Sequence, residues 1–220
     1  MESKIKLTQR TSPNLDLEFE FFNSGCRYVA GIDEVGRGAL AGPVTVGVAV
    51  LDKNVSQIPN KLSDSKLISK SVREALVPQL VEWVVQYSIG FASPKEIDDV
   101  GIINALRLAA LRAVSDLTVT PDKFILDGKH NWLANSEVKE LAELNVVTKI
   151  KADQACASVS AASVLAKVER DQLMVSAAND YPEFGFAKNV GYGSAQHLAA
   201  IRKFGPTEFH RRSWNLPAKD

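Results

Sequence analysis

The chain has 220 residues and a mass of 23.9 kDa, enough for one substantial core, and its 45% hydrophobic and 24% charged residues are typical of a globular protein. No apolar run is long enough to cross a bilayer and no signal-peptide core follows the N-terminal residues, so we expect a soluble, cytoplasmic protein. The two cysteines lack metal-ligand spacing and the net charge is +0, which excludes a zinc-finger pattern and a uniformly basic surface.

The first part of the chain predicts a loose lead-in followed by two strands. Residues 1–13 are polar, and residues 15–22 fit a strand or a short helix equally well. Residues 29–32 and 44–51 are apolar runs rich in β-branched side chains, which indicate buried strands. These two runs predict an antiparallel hairpin near the start of the fold.

Asp33 and Glu34 place two adjacent charges between these strands. Successive strand residues point to opposite faces, so we expect the strand to stop near Asp33 if both acids serve one site. The glycines at 36, 38 and 42 favour such a stop, because they allow backbone angles that a Cβ would block. An acidic turn between two hairpin strands is the simpler reading of this pair alone.

The rest of the chain alternates helices and strands. The predicted elements are a polar loop at 57–70, helices at 71–80, 103–114, 136–143 and 155–174, a last helix from Ser194 as N-cap to about Lys203, and strands at 83–91, 123–126 and 146–150. A helical lead-in begins at Ser93-Pro94, before the second helix. This order predicts an α/β fold with a mixed five-stranded sheet flanked by helices, in a main domain over residues 14–170 with a helical region over 171–220.

Carboxylates follow three of the predicted strands. Asp33, Asp127 and Asp153 stand at or just past strand ends, and Glu34 is beside the first. Open α/β sheets bind ligands beyond the carboxyl ends of their strands, so we expect the four acids to converge. At about 5 Å and an effective dielectric of about 20, each like-charged pair costs roughly 3 kcal/mol, which protonation or divalent cations must offset.

Oxygen ligands without histidine or cysteine favour Mg²⁺ or Mn²⁺, and two such ions can clamp the oxygens of a phosphoryl displacement. Taken singly, the acids also fit structural roles: Asp127-Gly128 is a common turn dipeptide, and Asp153 suits the start of a helix. The glycine-rich turn at 36–42 has neither dinucleotide-binding spacing nor a P-loop ending. The coincidence of four acids at strand ends favours a metal site.

Charge is unevenly distributed along the neutral chain. Residues 184–220 carry a formal charge of +4, and the remainder carries −4. An acidic body with a basic C-terminal section can hold a metal in one place and a polyanion in another. A solvated basic helix and tail explains the same charges.

Residues 31–38, Gly-Ile-Asp-Glu-Val-Gly-Arg-Gly, followed by Leu-Ala-Gly-Pro-Val at 40–44, closely resemble the signature of the ribonuclease HII family. Shorter matches follow in the family's order: Asp64-Ser65-Lys66, Asp127-Gly128, Lys151-x-Asp153, Ser160 to Ser163, Ala166-Lys167-Val168, Arg170-Asp171, Gly191-Tyr192-Gly193 and His210 to Ser213. The resemblance spans roughly residues 14–215. It implies a ribonuclease H-like fold with a small helical C-terminal region that contributes to substrate binding.

The resemblance also implies an endoribonuclease. Members hydrolyse the phosphodiester on the 5′ side of a ribonucleotide, in RNA/DNA hybrids and at single ribonucleotides embedded in duplex DNA, and leave 3′-hydroxyl and 5′-phosphate ends. That activity serves ribonucleotide excision repair. The implied cofactors are two Mn²⁺ or Mg²⁺ ions, the implied partner is the nucleic acid, and a monomer is the expected state.

Site residues carry over by the matching motifs. Asp33, Glu34, Asp127 and Asp153 would be the catalytic, metal-binding acids, and Gly36, Arg37 and Gly38 would hold the ribonucleotide around its 2′-hydroxyl. Tyr192 would pack on the sugar of the adjacent deoxynucleotide, and Lys66, Arg211 and Arg212 complete the implied substrate-binding set. For His210, Arg211 and Arg212, a structural cluster is the alternative to phosphate contacts.

The chain departs from the family's usual pattern at Ala152, where Gly is common, at Ala155-Cys156 in place of Lys-Ser, and at Asn189-Val190 in place of His-Lys. Lost basic residues should weaken phosphate binding and flatten its salt dependence, while the metal ligands remain. Two other functions compete with the leading hypothesis: a nuclease for branched or damaged DNA, and a hybrid-binding protein without turnover.

Overall fold

A computed structural model describes residues 12–134 and 138–220, and a five-stranded mixed sheet lies at its centre. The strands are β1 (Tyr28–Val35), β2 (Val44–Asp52), β3 (Gln86–Ala92), β4 (Lys123–Asp127) and β5 (Val146–Lys149), arranged in the order β3-β2-β1-β4-β5. β2 pairs antiparallel with both β1 and β3, whereas β4 pairs parallel with both β1 and β5. The predicted fold class and mixed sheet are confirmed.

Helices surround the sheet on both faces and at one end. They are α1 (Asp16–Asn23), α2 (Lys70–Trp83), α3 (Pro94–Ser115), α4 (Lys139–Ala142), α5 (Ala152–Ala155), α6 (Ala157–Ala177), α7 (Phe186–Asn189) and α8 (Ala195–Phe204), with one 3₁₀ turn at Pro182–Phe184. The capping box of Ser93 and Glu96 starts α3, and the Ser194 hydroxyl accepts from the His197 amide at the start of α8. The two N-terminal signals read from the sequence therefore act as predicted.

Close helix-to-sheet packing places α6 beside the end of β1. A Cβ at Gly31 or Gly47 would collide with the α6 backbone at Ser158 or Ala162, so α6 lies almost directly on β1 and β2. On the other face, α3 packs on β2 and β3, and a Cβ at Gly90 would meet its backbone. Strands covered on both sides are apolar throughout, which explains the unbroken apolar runs in the sequence.

The expectation that the first strand stops near Asp33 is wrong. β1 runs on to Val35, and its antiparallel pairing with β2 continues through Asp33↔Gly47 and Glu34↔Val46. Its parallel pairing with β4 ends at Ile32↔Leu126. β1 therefore extends past the end of β4, and beyond Ile32 the edge of β1 that faces β4 is open.

Two other predicted boundaries shift. Trp83 closes α2 instead of opening the third strand, because its indole N–H donates to the Ser56 carbonyl at 3.1 Å and its ring packs in the cluster around Leu80. The single helix predicted at 155–174 is interrupted at Cys156, which is extended at φ −109° and ψ 126°. Asn14 causes the break by pairing with the backbone on either side of Cys156.

The remaining predictions are resolved as follows. Residues 15–22, left open between strand and helix, form α1, and the buried Glu18 carboxylate accepts from the amide and hydroxyl of Ser158. The helix predicted at 136–143 is observed as the short α4, while residues 135–137 lie outside the described part of the chain. Residues 1–11 of the predicted lead-in also lie outside it.

A small helical layer follows α6. Its aromatic core contains Phe184 and Phe186 and rests on the β1–β2 connection through Ala41 and Met174. The predicted division between residues 170 and 171 falls within α6, so the two-region description stays a prediction. In residues 12–134 and 138–220, no helix combines the length and apolar character needed to cross a membrane. Cys26 and Cys156 are free thiols.

Candidate active site

A cavity of about 480 Å³ opens at the end of β1. It is bounded by the strand end, the glycine-rich turn after it, the loop before α2 and the outer part of α6. Its lining residues are Asp33, Glu34, Val35, Gly36, Arg37, Gly38, Ser65, Lys66, Lys167 and Tyr192. The structure thus brings two of the predicted acids together with most of the predicted substrate-binding residues.

Asp33 is the most buried acid of the cavity, with 3% of its surface exposed. The Ser163 hydroxyl of α6 donates to its carboxylate, and Ser163 in turn lies 2.8 Å from the Ser65 hydroxyl. Burial raises the pKa of Asp33 to about 8, and repulsion from Glu34 and Asp153 adds to the shift. A carboxyl in this position is expensive to ionise unless positive charge is placed beside it.

Glu34 reaches the same cavity from the opposite face of β1. Its carboxylate is 3.3 Å from Arg37 Nη1. Burial raises the pKa of Glu34, the Arg37 guanidinium opposes the shift, and the nearby Asp127 carboxylate adds to it. Both acids line one cavity although β1 continues through them, because β4 ends at Asp127 and leaves the edge of β1 open.

Asp127 and Asp153 flank the cavity without lining it. Asp127 Oδ1 accepts from the amide of Ala152 at 2.6 Å, and Asp153 Oδ2 lies 3.4 Å from Lys66 Nζ. Burial raises the pKa of Asp153, with repulsion from Asp127 and Asp64 adding to the effect. Electrostatic coupling therefore links each of these two acids to at least one of the pair on β1, in the arrangement expected from the strand ends.

The donor set suits a divalent cation chemically. Within the described ranges, no three side chains of Asp, Glu, His or Cys are close enough as they stand to enclose a metal ion. The two ion pairs, with Arg37 at 3.3 Å and Lys66 at 3.4 Å, instead supply the positive charge next to the carboxylates. Oxygen donors whose pKa values are raised by burial and mutual repulsion fit Mg²⁺ or Mn²⁺, which would relieve the same repulsion.

The glycine-rich turn forms the wall next to the acids. Gly36 has φ +80° and packs against the guanidinium of Arg170, whereas nothing lies within 4 Å of the position that a Cβ of Gly38 would take. The Tyr192 ring also lines the cavity, and the Arg170 and Lys167 cations lie 5.7 and 5.8 Å from its centre. The same cavity therefore contains open space at Gly38 and an aromatic ring.

Two predicted substrate-binding residues do not line the cavity. Arg211 is completely buried, and its guanidinium donates to backbone carbonyls of the glycine-rich turn, so as it stands its side chain is closed off from substrate. Of the two roles predicted for Arg211, this burial favours the structural cluster over a direct phosphate contact. Arg212 is exposed, while its backbone amide donates to Asp98. His210 is buried, so of the three residues only Arg212 offers a side chain to the surface.

Sequence reasoning assigned no role to several residues that support the site. Ser163 and Ser65 hold Asp33, and Lys167 lines the cavity while its ammonium donates to Asp171 at 2.6 Å. Burial lowers the pKa of Lys167. All three lie in matched motifs, and the period of α6 places Ser163, Lys167 and Arg170 on one helical face, which is the signal that would have found them.

The unusual positions have structural roles in this chain. The Asn189 side chain donates to the Phe184 carbonyl and accepts from the Gly191 amide, which shapes the turn before Tyr192. Val190 adopts a left-handed conformation at φ +44°, and its carbonyl accepts from Arg170. The effect of the missing basic residues on phosphate binding stays a prediction.

Comparison with known proteins agrees with the sequence motifs and the fold. The sequence model of the family described as Ribonuclease HII matches residues 30–216. Ribonuclease HII of Streptomyces avermitilis is 48% identical over 191 residues, which cover 87% of this chain and 78% of the relative.

Solved structures share the architecture. Ribonuclease H2 from Pyrococcus horikoshii aligns with a TM-score of 0.69 at 31% identity, over 86% of this chain and 94% of that one. Bst ribonuclease HIII in complex with Mn²⁺ aligns with a TM-score of 0.63 at 18% identity, over 86% of this chain and 67% of that one, which shows the fold alone.

Proposed function

Because this chain belongs to the ribonuclease HII family, and is thus a metal-dependent endoribonuclease acting on RNA/DNA hybrids, we propose that it also cuts at single ribonucleotides embedded in duplex DNA. The cut is placed on the 5′ side of the ribonucleotide. Water oxygen attacks the phosphorus, the bond from phosphorus to the 3′-oxygen of the preceding nucleotide breaks, and the products carry a 3′-hydroxyl and a 5′-phosphate.

One observation carries this proposal: a single cavity joins the buried Asp33 and the half-buried Glu34 to a turn that leaves room for a sugar. Its lining includes Asp33 and Glu34, the turn from Gly36 to Gly38, and Tyr192. The 2′-hydroxyl is the one group that separates RNA from DNA at a given nucleotide. Gly38 has no side chain and can approach that hydroxyl closely, and the Tyr192 ring in the same cavity can pack on the next sugar.

The four acids would share the catalytic work. Asp33, Glu34, Asp127 and Asp153 would hold two divalent ions, Mg²⁺ or Mn²⁺, which supply positive charge to the attacking and leaving oxygens of an in-line displacement. The Mn²⁺ found in Bst ribonuclease HIII is consistent with this donor set. Ser163 fixes the Asp33 carboxylate, and Lys66 and Arg37 hold Asp153 and Glu34 until substrate arrives. Lys66 and the exposed Arg212 then provide cationic contacts for phosphates.

The direct test compares the protein with an Asp33→Asn variant on a DNA duplex that contains one ribonucleotide, with Mg²⁺ or Mn²⁺ present. Asp33→Asn removes one ligand charge and should lower the single-turnover rate by at least about 100-fold, the scale of losing a transition-state electrostatic contact. Asp99→Asn on the exposed side of α3 serves as the control and should cut at the unaltered rate.

Three outcomes would defeat the proposal. Equal cutting by the protein and its Asp33→Asn variant would remove the acids from the chemistry. Equal cutting of the all-DNA duplex would instead identify a nuclease for branched or damaged DNA. Tight hybrid binding without any metal-dependent cleavage would identify a binding protein.

We further propose that the enzyme acts in the cytoplasm as a monomer. In the absence of nucleic acid, sedimentation of the purified chain should give a mass near 23.9 kDa both with and without divalent metal. A stable dimer at micromolar concentration would contradict this part of the proposal.

A further inference from the structure

Two buried arginines lie directly behind the glycine-rich turn at the cavity. Arg170 comes from α6 and Arg211 from the segment after α8, and both side chains are fully buried. In the described part of the chain neither forms an ion pair. Burying a guanidinium is costly unless its donors are satisfied, so the groups that satisfy them identify what these residues do.

The donors of Arg211 are used on one short stretch of backbone. Nη2 donates to the Gly36 carbonyl at 2.6 Å, Nη1 to the Arg37 carbonyl at 2.8 Å, and Nε to the Gly42 carbonyl at 3.1 Å. One rigid, planar group therefore fixes two consecutive peptide units and the far end of the same turn.

Because peptide units are planar, fixing these carbonyls also fixes the direction of the amide N–H groups on the opposite side of the turn. In a planar trans peptide, the C=O and the following N–H point in opposite directions. Because the carbonyls of Gly36 and Arg37 face Arg211, the amides of Arg37 and Gly38 face away from it, on the side where these residues line the cavity. Among the described residues, neither amide donates to a protein acceptor.

Arg170 closes the turn from the other side. Its guanidinium donates to the carbonyls of Ala41 and Pro43, and to that of Val190 next to the Tyr192 turn. It also occupies the space in which a Cβ of Gly36 would lie. The two arginines repel each other, and burial lowers the pKa of Arg211 to about 9 with Arg170 contributing, yet the six carbonyls surround both cations with acceptors.

We propose that Arg211 is a positioning residue for sugar discrimination: by holding the carbonyls of Gly36 and Arg37, it presents the amides of Arg37 and Gly38 to the 2′-hydroxyl of the ribonucleotide. The inference rests on the proposed function, since it assumes that the ribose lies against this wall. With a deoxyribose, the two oriented donors are left without an acceptor, and the site loses binding it would otherwise gain. Arg211 never touches substrate in this arrangement, which separates it from an ordinary phosphate contact.

Arg211→Lys tests the idea while keeping the positive charge. A lysine has one nitrogen and cannot reach three carbonyls in a fixed fork, so the two peptide units are no longer oriented together. The matched control is Arg107→Lys, because the Arg107 guanidinium also donates to two backbone carbonyls, those of Trp132 and Ala134, in a loop outside the cavity.

The measurement is the affinity of each protein for two duplexes that differ only in one 2′-hydroxyl, with Ca²⁺ replacing Mg²⁺ to suppress cleavage. We expect Arg211→Lys to reduce the ribose preference by roughly tenfold, or to parity, the scale of one hydrogen bond to an otherwise unpaired group, while affinity for the all-DNA duplex changes less than about twofold. Arg107→Lys should keep the preference of the unaltered protein. The ribose preference is the ratio of two affinities measured on the same protein sample. A partly unfolded variant would lower both affinities equally, so it cannot imitate a loss of preference.

An unchanged ribose preference in Arg211→Lys would overturn the proposal, whether both affinities stay constant or fall together. An equal fall on both duplexes would identify Arg211 as a general support of the fold or of phosphate binding. If the unaltered protein itself showed no preference for the ribonucleotide duplex, the proposed function would fail first, and that result is visible before any variant is compared.

Discussion

Gly36 and Gly38 flank the same arginine but are glycines for different physical reasons. At Gly36 the backbone is left-handed, at φ +80°, and a side chain would collide with the buried Arg170 guanidinium. At Gly38 there is no positive φ, and apart from its chain neighbours no protein atom lies within 4 Å of the position a Cβ would take. The first glycine is required by the fold, whereas the second leaves open space at the cavity wall.

Alanine at each position should therefore separate stability from activity. Gly36→Ala introduces backbone strain and a clash worth about 1–3 kcal/mol, which should lower the thermal midpoint by roughly 3–10 °C. Gly38→Ala should leave the midpoint within about 1 °C, yet lower kcat/KM on a single-ribonucleotide duplex at least about tenfold, because its methyl group faces the sugar. Differential scanning calorimetry and cleavage assays check the two effects. Full activity in a stable Gly38→Ala protein would show that the sugar lies elsewhere.

Among the elements, α8 and the segment after it are joined by two buried histidines. His197 Nδ1 donates to the Tyr192 carbonyl at 2.9 Å, and the Thr207 amide donates to His210 Nδ1 at 3.0 Å. These contacts leave His210 Nε2–H to donate to His197 Nε2 across 3.0 Å, so both rings are neutral with fixed tautomers. This chain of hydrogen bonds through His210 and His197, the histidine relay, connects the C-terminal segment to the turn that carries Tyr192.

Acid should weaken this layer in a defined pH range. Burial lowers the pKa of His210 to about 4, with repulsion from His197 and Arg212 adding, whereas an unfolded histidine titrates near 6.5. As the pH falls, the unfolded chain therefore binds the proton before the folded protein does. The stability that neutral His210 contributes to the folded state is complete above about pH 6.5 and is lost as the pH falls towards 4. The loss amounts to about 3 kcal/mol for His210.

Urea unfolding between pH 7.5 and 4.5 measures the slope. His210→Gln should be less stable at neutral pH but should flatten the dependence between pH 6.5 and 4, because the titrating group is gone. His130→Gln, at an exposed histidine, should keep the original slope. Identical slopes for the unaltered protein and both variants would exclude the relay as the source.

Strand length decides how the two acids on β1 meet. Alternation along β1 does send Asp33 and Glu34 to opposite faces, as the sequence indicates. The parallel partner β4 stops at Asp127, so nothing separates the two faces beyond Ile32. The sequence pattern of β1 cannot predict that the two acids reach the same cavity, because that depends on where β4 ends.

At the scale of the whole molecule, the basic C-terminal section is fastened to the acidic body near the cavity. Ala41 bridges to His210, and the Asp98 carboxylate of α3 accepts from the amides of Arg212 and Ser213 and from the Ser213 hydroxyl. These contacts hold the Arg212 side chain at the surface. The basic C-terminal section thus presents one exposed cationic group, Arg212, from a segment that is attached to the body of the protein.

Arg212→Gln should weaken binding to ribonucleotide-containing and all-DNA duplexes equally and reduce the slope of log affinity against log salt by about 1, as expected for one phosphate contact. Titrations at several salt concentrations with Ca²⁺ measure it. Arg27→Gln provides the control, since this exposed arginine precedes β1 and lies at the opposite end of the strand from the acids. A changed ribose preference in Arg212→Gln, or an unchanged salt slope, would contradict a purely electrostatic phosphate contact.

The sequence alone determined the α/β class, the helix start signals at Ser93 and Ser194, and the identity of the acids at the strand ends. Those features depend on hydrophobic period, local capping and a motif contiguous in the chain, so they can be read without distant neighbours. It left Arg211 open between a phosphate contact and a structural cluster, because residue type and motif position do not reveal burial.

Only the tertiary structure decided which groups support the site. Ser163 on Asp33, Arg170 against Gly36, and Arg211 behind Gly36 and Arg37 join residues separated by more than 100 positions in the chain. The break at Cys156 likewise depends on Asn14. These contacts arise from the close approach of α6 and the C-terminal segment to the end of β1, and packing between distant segments leaves no local periodic signal in the sequence.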